Sequence, residues 1–514
     1  MQQVLGKTLI LEKAAQQAAL FFRKFRTAFL SSVIFGFLAY GFVLTNKLLN
    51  HDEAHSLFIK GATVVSGRWG LGALDIIFPN YSMPWIYGLL TIFLVAVGIC
   101  ILVDMFCIRN RLLQGILAGC IMVFPSLTGL FGYMFTSCSF ALSFLLSIVS
   151  AALVQKDKKW YILPAFCALV LSLSIYQSYI SMTAGLLVLV LIRRVLTGEN
   201  PGALLKQGLF YVGFLVFSLV AYYLCTQVIF RLTGTELGDY ASGNFTFSPS
   251  AIWGNLLLAY RNFFRFFSEG FCGLMPTAFL RLLHTAALAI TLVLAIVLCR
   301  TGKCSLPAMV LLVFLLIALP LAVNCMYLIT SEKSIHTLVL YGFVNVYVAM
   351  ILLADLTLEA ESLRSFGSLL LNGLTSLLAL VIAGNIYIAN EASLHLYLRY
   401  ENAYAFYTSL AADIKLQPEF TEDTVLAVIG EYQQPKFYSQ QFEHIHSITG
   451  VYGFVPDNYS KERFLEYYLG FSIPMASREE IAAIEASADF ENMPVYPYYG
   501  SLRSFGNVLV VKLS

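Results

Sequence analysis

Charge is scarce in this chain: Asp, Glu, Lys and Arg together make up 12% of its 514 residues, about half the share found in soluble domains. That scarcity argues against a soluble enzyme, a disordered chain or a nucleic-acid binder. The formal net charge is only +2, which offers no field for a polyanionic partner. Cysteine arithmetic excludes more. None of the ten cysteines forms a Cys-x-x-Cys pair, and none follows Cys325. Most lie in apolar runs, where cysteine behaves as a small hydrophobe. Neither a disulfide framework nor a zinc site is therefore expected. Internal repeats and low-complexity runs are absent too. Apolar residues are abundant, at 59% with mean hydropathy +0.76. This is the composition of a protein that crosses a membrane many times.

A span needs about 20 mainly apolar residues. Eleven stretches qualify: 27–46, 84–106, 112–131, 135–154, 160–177, 179–197, 207–230, 282–299, 305–328, 335–354 and 367–389. Residues 1–26 carry Lys7, Lys13, Arg23, Lys24 and Arg26 around an Ala/Leu/Phe stretch, the pattern of a basic amphipathic helix lying on the bilayer. Lys and Arg in short loops mark the cytoplasmic side. One set of loops holds sixteen of them: the N-terminal five, Arg109, Arg111, Lys156, Lys158, Lys159, Arg193, Arg194, Lys206, Arg300, Lys303 and Arg364. The other holds eight, in mostly longer segments. A cytoplasmic N-terminus and an extracytoplasmic C-terminus follow. The transmembrane domain, 27–389, then has two long outer loops, 47–83 and 231–281. Beyond it, 390–514 turns polar and alternates helix with strand. TVLAVIG (424–430) and NVLVVKL (507–513) read as strands, and 401–415, 461–469 and 478–486 as helices. The expected fold is an α-helical polytopic membrane protein with a small extracytoplasmic α/β domain.

Chemistry-bearing residues concentrate in the outer loops. Asn50-His51-Asp52-Glu53-Ala54-His55 opens the first. Acidic residues favour the first turn of a helix, so a solvated helix start is the plain reading. The pair, however, sits at the mouth of a span, between two histidines, and Gly67-Arg68-Trp69-Gly70 follows in the same loop. A carboxylate can take a proton from an attacking hydroxyl. Arginine holds phosphate bidentately, and tryptophan offers an apolar face to a sugar. His51 and His55 resemble half a zinc-protease motif, but the acid after the first is Asp and no third ligand is apparent. A second constellation is Tyr176-Gln177-Ser178-Tyr179, with Tyr133 in the neighbouring turn. Tyrosines are ordinary at membrane interfaces. An amide there needs partners, and sugar hydroxyls would serve. In the second loop, WGNLLLAYRNFFRFF places Arg261 and Arg265 four apart on an apolar helix. They could grip a lipid phosphate or snorkel to headgroups. Lys333 and His336 pose the same choice.

These motifs carry a resemblance. HDEAH…SGRWG, then FPSLTGLFGYMFTSCSFALSFLLS and LSLSIYQSYISM, resemble the bacterial O-antigen type II glucosyltransferase family, GT-C-like polytopic enzymes that include phage-derived serotype converters. The likeness is best over 45–200, and the matching positions are Asp52, Glu53, Gly67, Arg68, Tyr176 and Gln177. It implies a hexosyltransferase of the bacterial plasma membrane that takes a sugar, typically glucose, from a polyprenyl-phosphate donor to a cell-surface glycan on the outer face. Asp52 and Glu53 would be the catalytic carboxylates. Where the family often has two aspartates, this chain has Asp-Glu, which leaves open which one acts as base. The departing phosphate needs positive charge rather than a general acid. No cofactor is firmly implied: a divalent metal is compatible with the carboxylates, but no ligand set demands one. A transporter or flippase of lipid-linked sugar is the main competing reading. It would place charged sites near the bilayer midplane in related halves, whereas here the charges cluster in outer loops. A membrane sensor, the third reading, predicts a dispensable first loop.

Overall fold

The structure is a computed structural model. It describes residues 2–514 except 58–62, 80, 237, 239–250, 271–272, 302–304, 329, 331–334, 361–363, 422, 433–439 and 452–459. Among the described residues, nine helices are long and apolar enough to cross a membrane. They coincide with nine of the eleven stretches read from the sequence. The other two are helical but depart from a simple span. The third breaks into Arg111–Met122 and Pro125–Phe131, bent by 48°. Pro125 lacks an amide hydrogen, and Phe124 before it is extended. The carbonyls freed at the break are satisfied by tyrosines: Tyr341 donates to Ile121 O at 3.0 Å and Tyr40 to Met122 O at 3.0 Å. The fifth is the shorter helix Ile162–Ile175, which stops as the chain turns extended at Tyr176.

Lipid supplies no hydrophobic drive between helices, so close backbone approach and hydroxyl bonds hold them. Ser143 Oγ donates to Ser172 O and Ser172 Oγ to Ser143 O, each at 2.8 Å. This reciprocal pair clamps helix Met134–Val154 to Ile162–Ile175. The span Thr337–Glu359 is central, with 94% of its apolar window buried inside the protein, while Pro201–Thr233 is peripheral at 22%. At one end of the bundle, Asp355 accepts from the amides of Arg109 and Asn110. At that end Lys24 also pairs with Asp104 and Arg109 with Glu359.

The last span does not stop where the polar tail begins. It continues as one helix, Arg364–Lys415, into the C-terminal core. There three strands, β1 (Val425–Ile429), β2 (Leu502–Phe505) and β3 (Val508–Lys512), form a sheet in the order β1-β3-β2. β3 is parallel to β1 and antiparallel to β2. Alternate side chains point to opposite faces. Leu426, Val428, Leu509 and Val511 pack on the long helix at Ala403, Tyr407 and Leu410. Ala427, Ile429, Val508 and Val510 are covered by Ile484, Phe490 and Met493. With both faces covered, β1 and β3 read as continuous apolar runs, which is why both were legible in the sequence. β2 (LRSF) is short, partly exposed and polar, and gave no such signal.

This domain docks on one end of the bundle. Thr337 and Thr449 exchange amide-to-hydroxyl bonds at 3.2 Å each, and Thr337 Oγ1 donates to Ser447 O at 3.1 Å. A Cβ on Gly132 would meet Gly450 O at 2.5 Å, so the turn carrying Tyr133 lies directly beneath residues 447–451. The same end carries the loop 47–83.

Candidate functional site

The loop 47–83 builds two linked clusters. The first is the acidic helix His51–Ser56, capped by Asn50, whose side chain accepts from the Asp52 amide at 2.8 Å. Leu49 and Ala54 are buried in the core of the C-terminal domain with Phe464 and Leu465, which fixes the helix orientation. Glu53 is fully buried. Its Oε1 accepts from Ser82 N at 2.9 Å and Ser82 Oγ at 2.6 Å, and lies 3.3 Å from Lys47 Nζ. Glu53 Oε2 is buried with no hydrogen-bond partner among the described residues. Asp52 is half-buried. Neighbouring residues on a helix point in different directions, so the two carboxylates face different surroundings. Glu53 is thus held by Lys47 and Ser82.

The second cluster is the turn Thr63–Trp69. Gly67 adopts φ +74°, and its carbonyl accepts from the Tyr222 hydroxyl at 3.0 Å. Gln177 donates to the Tyr222 oxygen at 2.8 Å and to Ser66 O at 3.2 Å. Both amide hydrogens are therefore spent on the protein, making Gln177 a clamp on the turn. Trp69 Nε1 donates to Thr226 Oγ1 at 3.2 Å. So positioned, the Arg68 guanidinium stacks over the Tyr176 ring at 5.0 Å, with its Nε buried and unpartnered among the described residues. His336 lies within electrostatic range of Arg68, and its Nδ1 is likewise buried without a partner. Five sequence candidates, Arg68, Trp69, Tyr176, Gln177 and His336, are thereby brought to one place.

The remaining candidates lie elsewhere. Tyr133 sits under the 447–451 segment, and a Cβ on Gly450 would meet its ring at 2.8 Å. Helix Ile252–Ser268 buries Phe263, Phe266 and Phe267 but leaves Trp253 and Phe264 exposed, as an interfacial helix would. On it Arg265 pairs with Glu269 at 2.7 Å and donates to Asn262 Oδ1 at 3.1 Å, while Arg261 is exposed. Lys333 lies outside the described residues. Among the described residues no group of three or more His, Cys, Asp or Glu side chains is arranged to hold a metal ion.

Sequence reading missed Tyr222 and Thr226, the posts on which the Arg68 turn hangs. Two hydroxyls four apart on one face of an apolar span were the available signal. Lys47 and Ser82 gave none, because their role depends on folding the loop back on Glu53.

Gly67 makes a direct test of the clamp. An alanine there takes up a left-handed conformation costing roughly 1–3 kcal/mol, and its Cβ would lie 2.8 Å from the Tyr222 hydroxyl. Gly67→Ala is expected to lower thermal stability by that amount, and to lower turnover because the turn carrying Arg68 must shift. Unchanged melting and unchanged turnover would show that the turn tolerates displacement.

Carboxylates and a guanidinium thus gather in one loop at the end of a many-span helical bundle. The family model described as glucosyl transferase GtrII matches residues 41–348, which include both clusters. The chain belongs to that family, and is a glycosyltransferase with the glucosyl-transfer role the family carries. No curated protein and no solved structure matches it.

Proposed function

We propose that this protein transfers glucose from a polyprenyl-phosphate donor to a hydroxyl of a cell-surface glycan, at the extracytoplasmic face of the bacterial plasma membrane. The observation that carries this reading is the buried Arg68 Nε, without a hydrogen-bond partner among the described residues and beside His336, in the same loop as the acidic pair. An N–H donor buried without a partner costs free energy, and a phosphate oxygen would satisfy it with a charge-assisted bond. In the proposed step Asp52 takes the proton of the acceptor hydroxyl. The hydroxyl oxygen bonds to C1 of the glucose. The bond between C1 and the phosphate oxygen breaks, and its electron pair leaves on the phosphate, where Arg68 stabilises the charge. Trp69 supplies an apolar face for the sugar. Arg261, exposed on the interfacial helix, is a further contact for donor or headgroup phosphate.

An open cleft of about 460 Å³ supports a donor route from the bilayer. It is lined by Gln227, Phe230, Arg231 and Glu236 at the outer end of the peripheral helix Pro201–Thr233. It adjoins the Arg68 turn, since Gly238 N donates to Val65 O at 3.0 Å. The reading is tested by incubating the purified protein with defined polyprenyl-phosphate sugars and scoring released polyprenyl phosphate. No release from the glucose-bearing donor overturns it.

The Lys and Arg bias supports a cytoplasmic N-terminus and an extracytoplasmic C-terminal domain. With the native exposed cysteines replaced by serine, an impermeant thiol reagent is expected to label Tyr499→Cys in intact cells. Asp157→Cys should react only after lysis. Both residues are exposed, at opposite ends of the bundle. The reverse pattern inverts the topology.

A further inference from the structure

Two buried polar atoms without hydrogen-bond partners among the described residues lie on either side of the junction between the first loop and the C-terminal domain. One is Glu53 Oε2, on a fully buried residue whose other oxygen is held by Ser82 and Lys47. The other is the hydroxyl of Tyr468. Tyr468 lies on helix Lys461–Leu469, which packs against the acidic helix and stacks Tyr468 on Phe464 at 5.4 Å. Lys47 links the two groups, pairing with Glu53 at 3.3 Å while its Nζ lies 5.9 Å from the centroid of the Tyr468 ring. Burial, and next the Glu53 carboxylate, push the Tyr468 hydroxyl above its ordinary range. That places the two groups within electrostatic reach of each other and keeps the phenol protonated.

Buried polar groups are nearly always paired, so two orphans at one junction call for a shared ligand. Its chemistry follows from theirs. Glu53 Oε2 is an acceptor, and the protonated phenol is both donor and acceptor. A neutral hydroxyl-bearing ligand satisfies both by donating to the carboxylate and accepting from the phenol. A phosphate would be repelled by the carboxylate.

We propose that Glu53 and Tyr468 form the acceptor subsite, where a sugar hydroxyl that does not react bridges Glu53 Oε2 and the Tyr468 hydroxyl. The C-terminal domain then completes the transferase site, and Glu53 orients the acceptor while Asp52 takes the proton from the neighbouring, reacting hydroxyl. This rests on the transferase reading above and adds to it a place for the acceptor.

The test is Tyr468→Phe in the purified full-length protein, with polyprenyl-phosphate glucose as donor and a panel of methyl hexosides and glycerol as acceptors. Three quantities are read: the acceptor KM, the rate of donor hydrolysis by water, and the melting temperature. One lost hydrogen bond of about 1.4 kcal/mol corresponds to tenfold, so the acceptor KM is expected to rise about tenfold. Donor hydrolysis by water, which engages no acceptor sugar, should fall by less than transfer does. Melting should be unchanged or raised, because removing an unpartnered buried hydroxyl relieves a cost. An unchanged acceptor KM overturns the subsite. So does a drop in stability, which would reveal a structural partner for the hydroxyl. Donor hydrolysis by the wild type with no transfer to any acceptor in the panel also overturns it. Absence of any donor cleavage by the wild type overturns the transferase reading itself and is thereby distinguished.

Discussion

Replacing Asp52 by asparagine lowers turnover by roughly 10²–10⁴-fold, the loss expected when a general base is removed. The change keeps the shape of the side chain. The helix stays capped, because Asn50 bonds the backbone amide of residue 52 rather than its side chain. Folding should therefore survive, and donor binding with it, because the phosphate contacts proposed above involve the Arg68 cluster rather than Asp52. The measurement is single-turnover release of polyprenyl phosphate, alongside binding of intact donor. Glu53→Gln is the companion. It weakens the pairing to Lys47 and raises the acceptor KM more than the Asp52 change does. Near-normal turnover in both variants would end the base mechanism, and favour a protein that carries a lipid-linked sugar without cleaving it.

Arg68→Gln is the second large effect. Removing one preorganised group aimed at developing negative charge costs roughly 10²–10³-fold in turnover. Arg68 Nε has no hydrogen-bond partner among the described residues to lose, so stability should change little. The chief structural loss is its stacking on Tyr176. Lysine restores the charge but neither the stack nor the planar fork, and Arg68→Lys should recover only part of the rate. The check is kcat measured beside melting temperature. Equal kcat in wild type and Arg68→Gln would remove Arg68 from the phosphate.

The long helices were legible because twenty apolar residues in a row have few alternatives. The sequence was silent at the departures. Pro125 inside an apolar run is tolerated in a membrane when neighbours satisfy the freed carbonyls, and nothing local announces that Tyr40 and Tyr341 will do so. In the candidate site, the residues of the GRW turn and Tyr176-Gln177 were recognisable as chemical types, but not their division of labour. Gln177 reads as a sugar-binding amide and turns out to brace the backbone of residues 66–67 through Tyr222. Lys47, Ser82 and Tyr468 are unremarkable in sequence. They gain meaning only when segments more than 400 residues apart fold over Glu53. Arg261 and Arg265 were read as equals by their spacing, yet a glutamate four residues further on occupies one of them.

The helix Arg364–Lys415 has a consequence for anyone exchanging C-terminal domains between relatives. Its 52 residues make a rod about 78 Å long at 1.5 Å per residue, and no flexible linker separates the last membrane span from the domain core. A chimera must be cut inside a continuous helix, where phase matters as much as sequence. One inserted residue turns the whole domain beyond it by about 100°, carrying Tyr468 away from Glu53 and Thr449 away from Thr337. Grafts that preserve helical phase should assemble, and those that shift it by a single residue should not.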